Sequence, residues 1–353
     1  MAVRQPIPAI DLPILKPETF CPRLLTTVTP DLPNTAPPPK RVLVVRYSQT
    51  GQLDAVADRI LSPLLADPAI RVHVETLRPQ QPFPFPWPFL AFMDVFPETA
   101  HMRPAPLAQP TLSSEEEFDL VVLLYQVWFL APSQPVTAFL QHPLAARLLK
   151  GKPVVTVIAC RNMWLMAQEK VKAMLAACGA RLIDNVVLTD PGPTFATFIT
   201  TPAWLLFGRK RGFWGMPDAG LTPAQIDGAA RFGMALRDAL HRDAERGTQP
   251  LLGGLGAVRA EPRLYFGEKV GTRSFYLWGK LIMSVGRPGS LQRKPLLVAY
   301  VLFLVTLIVT VLPVSLALQA LLRPLFRGRL NRIGARFELP SGSASDRCHL
   351  YDR

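Results

Sequence analysis

Residues 41–53 read Arg-Val-Leu-Val-Val-Arg-Tyr-Ser-Gln-Thr-Gly-Gln-Leu: an apolar, β-branched-rich run, a small polar loop with one glycine, and then at once the start of an amphipathic helical pattern. A strand that turns directly into a helix commits the chain to layered α/β architecture. It also aims backbone N–H groups and the positive end of a helix at one point, which makes an anion site. Ser48, Gln49, Thr50, Gly51 and Gln52 have the hydroxyls, amides and small size to wrap one phosphate, with the amide of Leu53 behind them. The loop lacks the Lys of a nucleoside-triphosphate loop and the three spaced glycines of a dinucleotide fingerprint. A monophosphate, such as that of FMN, fits best.

The alternation continues to about residue 245. Strands are expected over 41–46, 71–77, 118–125, 153–160 and 181–189, and helices over 52–66, 132–150 and 164–178. Thr222-Pro-Ala-Gln225 forms a capping box that opens a helix to about Arg242. Five strands interleaved with helices predict a doubly wound parallel sheet. Its ligand crevice lies beyond the carboxyl ends of the central strands, where the loops 47–52, 125–134 and 160–164 meet. Two aromatic insertions depart from a minimal sheet. One, at 79–104, stands where a second crossover helix belongs; the other, at 190–221, carries Trp204, Phe207, Phe213, Trp214 and the cations Arg209, Lys210 and Arg211.

The flanks are different. Residues 1–39 hold ten prolines and no period, and read as a disordered leader. Residues 246–294 turn amphipathic around Arg273-Ser-Phe-Tyr-Leu-Trp-Gly-Lys-Leu-Ile-Met, with Trp and Tyr beside Lys and Arg, as at a membrane interface. Pro295–Leu322 then carries no charge for 28 residues, against the roughly 20 needed to cross a hydrocarbon core. We expect a transmembrane or re-entrant segment over 295–326, and a basic then disordered tail over 327–353. Pro313 divides the apolar run, and both a single pass and a hairpin turning there are open. Of the net charge of +13, eight Lys or Arg and no acids lie between Arg287 and Arg336. Because these cations bracket an apolar run, they predict an anionic membrane surface and no nucleic acid. Four scattered cysteines without a Cys-x-x-Cys argue against a zinc site and fit a reducing compartment. The expected placement is the inner membrane, with the α/β domain facing the cytoplasm.

The chemistry-bearing candidates lie in the second and third loops. Tyr125, Gln126, Val127, Trp128 and Phe129 follow the third strand; Trp128 and Phe129 are flat enough to stack on a flavin ring, and neighbouring amides suit its polar edge. Arg161 and Asn162 follow the fourth strand and are candidates for the flavin pyrimidine or a substrate oxygen; Asn162 as a helix cap is the competing role. His101, in the first insertion, is a second catalytic candidate beside Arg161. Asp94 and Glu98 either act there or solvate an oily helix.

At these residues the chain resembles the flavodoxin-like superfamily, whose Ser/Thr-x-Thr-Gly-x-Thr phosphate loop is matched by Ser48, Thr50 and Gly51, with Leu53 in place of the last Thr; the resemblance implies a five-stranded parallel sheet in the order 2-1-3-4-5. More narrowly, Tyr-Ser-Gln-Thr-Gly-Gln-Leu, Pro-Phe-Pro-Trp-Pro-Phe, Asp-Val-Phe-Pro-Glu and a Gly-Arg-Pro-Gly-Ser before the apolar span are similar to the dialkylresorcinol condensing enzyme family, over about residues 40–325. That resemblance implies an FMN-dependent aromatase converting a lipidic 2,5-dialkylcyclohexane-1,3-dione to a dialkylresorcinol, with a ketosynthase and an acyl carrier protein as pathway partners. No Cys-His-His ketosynthase set is present. Two other functions fit the residues: a membrane-tethered quinone reductase or electron carrier, and a flavin-free membrane scaffold for biosynthetic enzymes.

Overall fold

The computed structural model describes residues 38–351, with side chains left undescribed at parts of 312–325. The Pro-rich leader lies outside the described residues. In chain order the elements are β1 (Lys40–Arg46), α1 (Gln52–Leu65), β2 (Ile70–Thr76), α2 (Phe89–Ala100), β3 (Leu120–Tyr125), the short strands β4 (Val127–Trp128) and β5 (Ala131–Pro132), α3 (Gln134–Gln141), α4 (Pro143–Leu149), β6 (Pro153–Cys160), α5 (Leu165–Ala177), β7 (Arg181–Thr189), α6 (Thr194–Phe207), α7 (Pro223–Asp227), α8 (Ala230–His241), α9 (Leu264–Val285) and α10 (Lys294–Glu338).

The main sheet has the order β2-β1-β3-β6-β7, all parallel. This is the flavodoxin-like doubly wound order, with its switch point between β1 and β3. The central strands are buried on both faces, as parallel sheets require: all six residues of β3 are buried, and Val42 to Val45 of β1 are fully enclosed. β2, at one edge, buries only Ile70 and Glu75. On one face α1 packs against α8 so closely that a Cβ on Gly233 would meet the Ile60 carbonyl oxygen at 1.9 Å. Only glycine fits at that crossing.

The far edge is closed by the chain's own C-terminus. β7 bulges beside Val154 and Val155, so one extra residue enters and Asp184 turns into a buried position. Its carboxylate accepts from the Leu251 and Leu252 amides and from the Ser341 hydroxyl, while Ser341 Oγ also accepts from the Asn185 amide at 2.7 Å. Gly256 and Val258 amides add bonds to Ala344 and Gly342. The tail after Phe337, expected to be disordered, is therefore an edge cover for β7. Its short, periodless sequence gave no hint, because its bonds are to residues about 90 and 157 positions away.

Other expectations shift for local reasons. The helix expected over 132–150 is two helices, because Pro143 holds His142 extended, and His142 Nδ1 then caps α4 through the Leu144 amide. The Thr222–Gln225 capping box forms as expected, but its helix stops at Gly228 and restarts at Ala230. The 79–104 insertion does contain a crossover helix, α2. It packs on α9 and α10 around Phe96, Ile282, Leu297 and Tyr300, a second apolar core separate from that of the sheet.

Candidate functional site

The three loops expected to converge do so at the carboxyl ends of β1, β3 and β6, which are adjacent in the sheet. Gly51 closes the first loop and starts α1 with φ +77°, and a Cβ there would meet nothing within 4 Å. The glycine is needed for its backbone shape, and the space beside it is open. α1 has no side-chain cap, so its first amides point into that space unpaired by any capping side chain.

Each loop buries a polar side-chain atom with no hydrogen-bond partner: Ser48 Oγ in the first, Gln126 Oε1 in the second, Asn162 Oδ1 in the third. A buried orphan costs about 1–3 kcal/mol, and these three lie at the mouth of one sheet. Arg161 stands in the third loop. It is partly buried, its guanidinium lies over the Phe198 ring at 3.9 Å, and it reaches Met163 Sδ at 3.6 Å. Burial pulls its pKa down to about 10, with Cys160 and Asp190 acting against that pull, so it stays cationic. No carboxylate lies within ion-pair distance of it among the described residues. Asp190, the nearby acid, is occupied by the Gly192 and Gly220 amides.

Several predicted residues serve the frame instead. Gln49 Nε2 donates to the Pro84 carbonyl, and Gln52 Oε1 accepts from the Leu221 amide, so both side chains fasten the aromatic insertions down. Thr50 is half-buried. Leu53 is core, which leaves only its amide for the site. The Tyr125 phenol is fully buried and donates to Gln168 Oε1 at 2.6 Å; burial raises its pKa and removes it from the crevice. Val127 and Trp128 form one strand of a two-residue hairpin whose central residues, Phe129 and Leu130, both have positive φ, 49° and 59°. Such turns favour Asn and Gly; bulky residues there are strained. The strain is held because Phe129 packs against Phe92, Phe96 and Phe275, and Leu130 against Gly271 of α9. Phe129 therefore belongs to the α2–α9 core and not to the crevice. Trp128 stays beside it, edge-on to Tyr47 at 5.9 Å, Phe83 at 5.0 Å and Trp87 at 6.0 Å. His101 is also relocated: it stacks on Tyr276 at 4.2 Å, and its Nε2–H donates to the Tyr276 carbonyl, at the α2–α9 contact.

The sequence reading missed Glu268. It is the sole acid of α9, fully buried, and accepts from the Leu165 and Met166 amides at the start of α5. Burial raises its pKa to about 7, against the pull of those amides. Its charge also acts on Cys160 and Tyr125, at the ends of β6 and β3. A lone carboxylate in an otherwise apolar and basic helix is the signal that marks it.

The second insertion adds an apolar groove of about 520 Å³ along α6, lined by Phe198, Ile199, Pro202, Phe207 and Phe213, with Arg209 at its edge. Phe198 is shared between this groove and Arg161.

No family model matches the sequence, and no curated protein matches it. Among solved structures the chain is similar to a flavoprotein from Lactobacillus acidophilus in complex with FMN, at 13% identity and TM-score 0.34, covering 42% of this chain and 93% of that one. It is similar to a flavodoxin from the domain Archaea at 12% identity and TM-score 0.31, covering 57% and 99% respectively. Oxidised flavodoxin 1 from Bacillus cereus gives 13% and 0.30, covering 55% and 95%. The fold assignment stands on the strand order itself.

Proposed function

We propose that this chain is an FMN-dependent oxidoreductase that works on a lipidic ring substrate at a membrane, aromatising a 2,5-dialkylcyclohexane-1,3-dione to a dialkylresorcinol. The observation that carries the flavin part is the set of three buried, unpaired polar atoms, Ser48 Oγ, Gln126 Oε1 and Asn162 Oδ1, around an open helix start. The α1 amides and Ser48 suit a phosphate. Gln126 and Asn162 oxygens suit the N–H donors of a polar heterocycle edge. Bound FMN would supply the acceptor for the two electrons and two hydrogens that the dione loses in becoming a resorcinol.

The chain's own contribution is to bind and orient. A 1,3-dione is acidic, so stabilising its enolate is the main electrostatic demand. Arg161, cationic and without a carboxylate partner, fits that demand. The α6 groove beyond Phe198 fits an alkyl chain attached to the same ring. The aromatic roof of Phe83, Trp87 and Trp128 limits water at the crevice.

The test is the absorption spectrum of the purified full-length protein, followed by anaerobic mixing with a dialkylcyclohexanedione. We expect a yellow protein that bleaches and releases a resorcinol. A yellow protein that ignores the dione but reduces quinones from a nicotinamide donor would turn the reading to a quinone reductase. A colourless one that cannot be reconstituted would leave the scaffold.

A further inference from the structure

α6 carries no charged residue over its 14 positions. Ala196, Thr197, Thr200, Ala203 and Trp204 face the body and are buried. The opposite stripe, Phe195, Ile199 and Pro202, recurs at i, i+4 and i+7 and is exposed, Phe195 by 71%. The outward side of a helix in water ordinarily carries charge. At about 21 Å, α6 is too short to cross the roughly 30 Å of a hydrocarbon core.

The apolar surface continues beyond the helix. Phe207 ends α6 with 78% exposure. The first insertion lies alongside that end: the Trp87 amide donates to the Leu205 carbonyl at 2.8 Å, and the Phe85 ring meets Trp204 at 6.4 Å. Phe85, Phe89 and Leu90 of that insertion are exposed as well.

The loop after α6 is held by its own bonds. The Lys210 carbonyl accepts from the Ala219 amide at 2.9 Å, the Asp218 carboxylate accepts from the Gly212 amide at 2.8 Å, and the Met216 amide donates to the Phe213 carbonyl at 3.0 Å. The turn they close carries Trp214 at φ +51°, a conformation bulky residues rarely adopt, and leaves it 91% exposed. Beside it, Arg209 lies over the Phe213 ring at 4.3 Å and Lys210 over the Trp204 ring at 5.3 Å, with Arg211 next in the chain. None of these three cations has an ion pair among the described residues. Exposed aromatics beside Lys and Arg are the composition of a membrane interface, where rings sit at headgroup level and cations meet lipid phosphates.

We propose that α6 and the loop through Trp214 form a docking surface for an anionic membrane. Phe195, Ile199, Phe207 and Trp214 enter the boundary between headgroups and acyl chains, and Arg209, Lys210 and Arg211 meet the phosphates. Charge selects this occupant over a second copy of the chain. In a twofold dimer the patch would meet itself, setting three cations against three, and the whole chain is at +13. The chain also carries, among the described residues, one helix long and apolar enough to cross a membrane, Leu291–Val311, with 11% of that window buried. The groove of about 520 Å³ between Phe198, Phe207 and Phe213 belongs to the same surface. Docked, it faces lipid, so an alkyl chain enters it without passing through water; this one consequence rests on the proposed function, and the docking itself does not.

The experiment uses the full chain on vesicles of phosphatidylcholine and phosphatidylglycerol, with and without dibrominated acyl chains, which quench indole at the boundary. Trp214→Phe isolates one indole by difference. Wild type is expected to float with the vesicles, with the Trp214 emission quenched at least twofold and trypsin cleavage at residues 209–211 at least tenfold slower than in detergent. The combined change Arg209→Glu, Lys210→Glu and Arg211→Glu lies in an exposed loop, so its far-UV circular dichroism should match wild type while the Trp214 quenching is lost. Wild type that does not float, or that floats with Trp214 unquenched, overturns the proposal, as does full quenching in the triple variant. Equal quenching on phosphatidylcholine alone overturns the assignment to an anionic surface. Trypsin protection already present in detergent, together with a dimer in sedimentation equilibrium, would give the face to a second copy and also overturn it.

Discussion

Two arginines, Arg161, partly buried, and Arg293, fully buried, report opposite things. Arg293 is fully enclosed with two carboxylates, Asp94 at 3.1 Å and Glu98 at 2.9 Å, in the layer formed by α2, α9 and the start of α10. Gly289 closes the same knot by donating its amide to Asp94 Oδ2 at 2.5 Å. Arg161 sits at the sheet's carboxyl end with an aromatic ring, a thioether and no carboxylate. A charge that folding has paired is architecture. A charge left without a carboxylate at the carboxyl end of the sheet is what the proposed function assigns to a ligand.

Removing each partner should separate the two. Arg293→Ala strips the cation from two nearly buried carboxylates, and losing one side of a buried ion pair costs about 3–5 kcal/mol. We expect a large fall in the thermal midpoint of the detergent-purified protein, with partial rescue by the further change Asp94→Asn. A midpoint within a degree or two of wild type would mean that the knot is solvated and the comparison fails.

Glu268 tests the border between the two regions, because it reaches from α9 into the loop end of β6. Its folded pKa, about 7, is above its ordinary 4.5, so the folded state binds an extra proton between those values. Stability from this group is full below about pH 4.5 and is lost as pH rises towards 7, by about 3 kcal/mol. Asp184, raised to about 6 by burial, contributes with the same sign over a lower window. Urea midpoints at pH 5 and pH 7.5 should therefore converge in Glu268→Gln relative to wild type. An unchanged difference would place the titration elsewhere.

How much of this was legible in the sequence differs between the same two regions. The sheet was, because buried parallel strands are written as continuous apolar runs: β6 and β7 begin and end where the pattern places them. The turn from β1 into α1 was legible because Gly51 and its neighbours are contiguous. The α2 layer was not. Asp94, Glu98 and Arg293 are nearly 200 positions apart, and nothing local says that the Asp-Val-Phe-Pro-Glu and Gly-Arg-Pro-Gly-Ser segments meet. The same blindness put Phe129 and His101 in the crevice, since the sequence does not show α9 arriving to claim them. The Ser341–Asp184 clasp was hidden for the same reason, behind a one-residue bulge.

Smaller effects sharpen the crevice. Gly51→Val forces a β-branched residue to φ +77° and should cost about 1–2 kcal/mol from backbone strain alone. No neighbour stands where its Cβ would go, so the body should still fold. Its bound flavin, measured as the ratio of flavin to protein absorbance, should fall at least tenfold, because the loop shape and the first amides of α1 change together. Flavin content equal to wild type would move the phosphate away from this turn.

The smallest stability effect, and the sharpest contrast, belongs to Arg161→Met. Folding already bears the desolvation of an unpaired guanidinium, which burial expresses as a lowered pKa. Removing it gives that cost back and loses a cation–π contact with Phe198 worth about 0.5–2 kcal/mol. The two terms oppose, so the thermal midpoint should move little, in contrast to the collapse expected for Arg293→Ala. Function should move a great deal: KM for the dione rises at least tenfold while bound flavin is retained. If Arg161→Met instead unfolds the protein, Arg161 is as structural as Arg293, and an unpaired, partly buried cation has ceased to be a sign of a site in this fold.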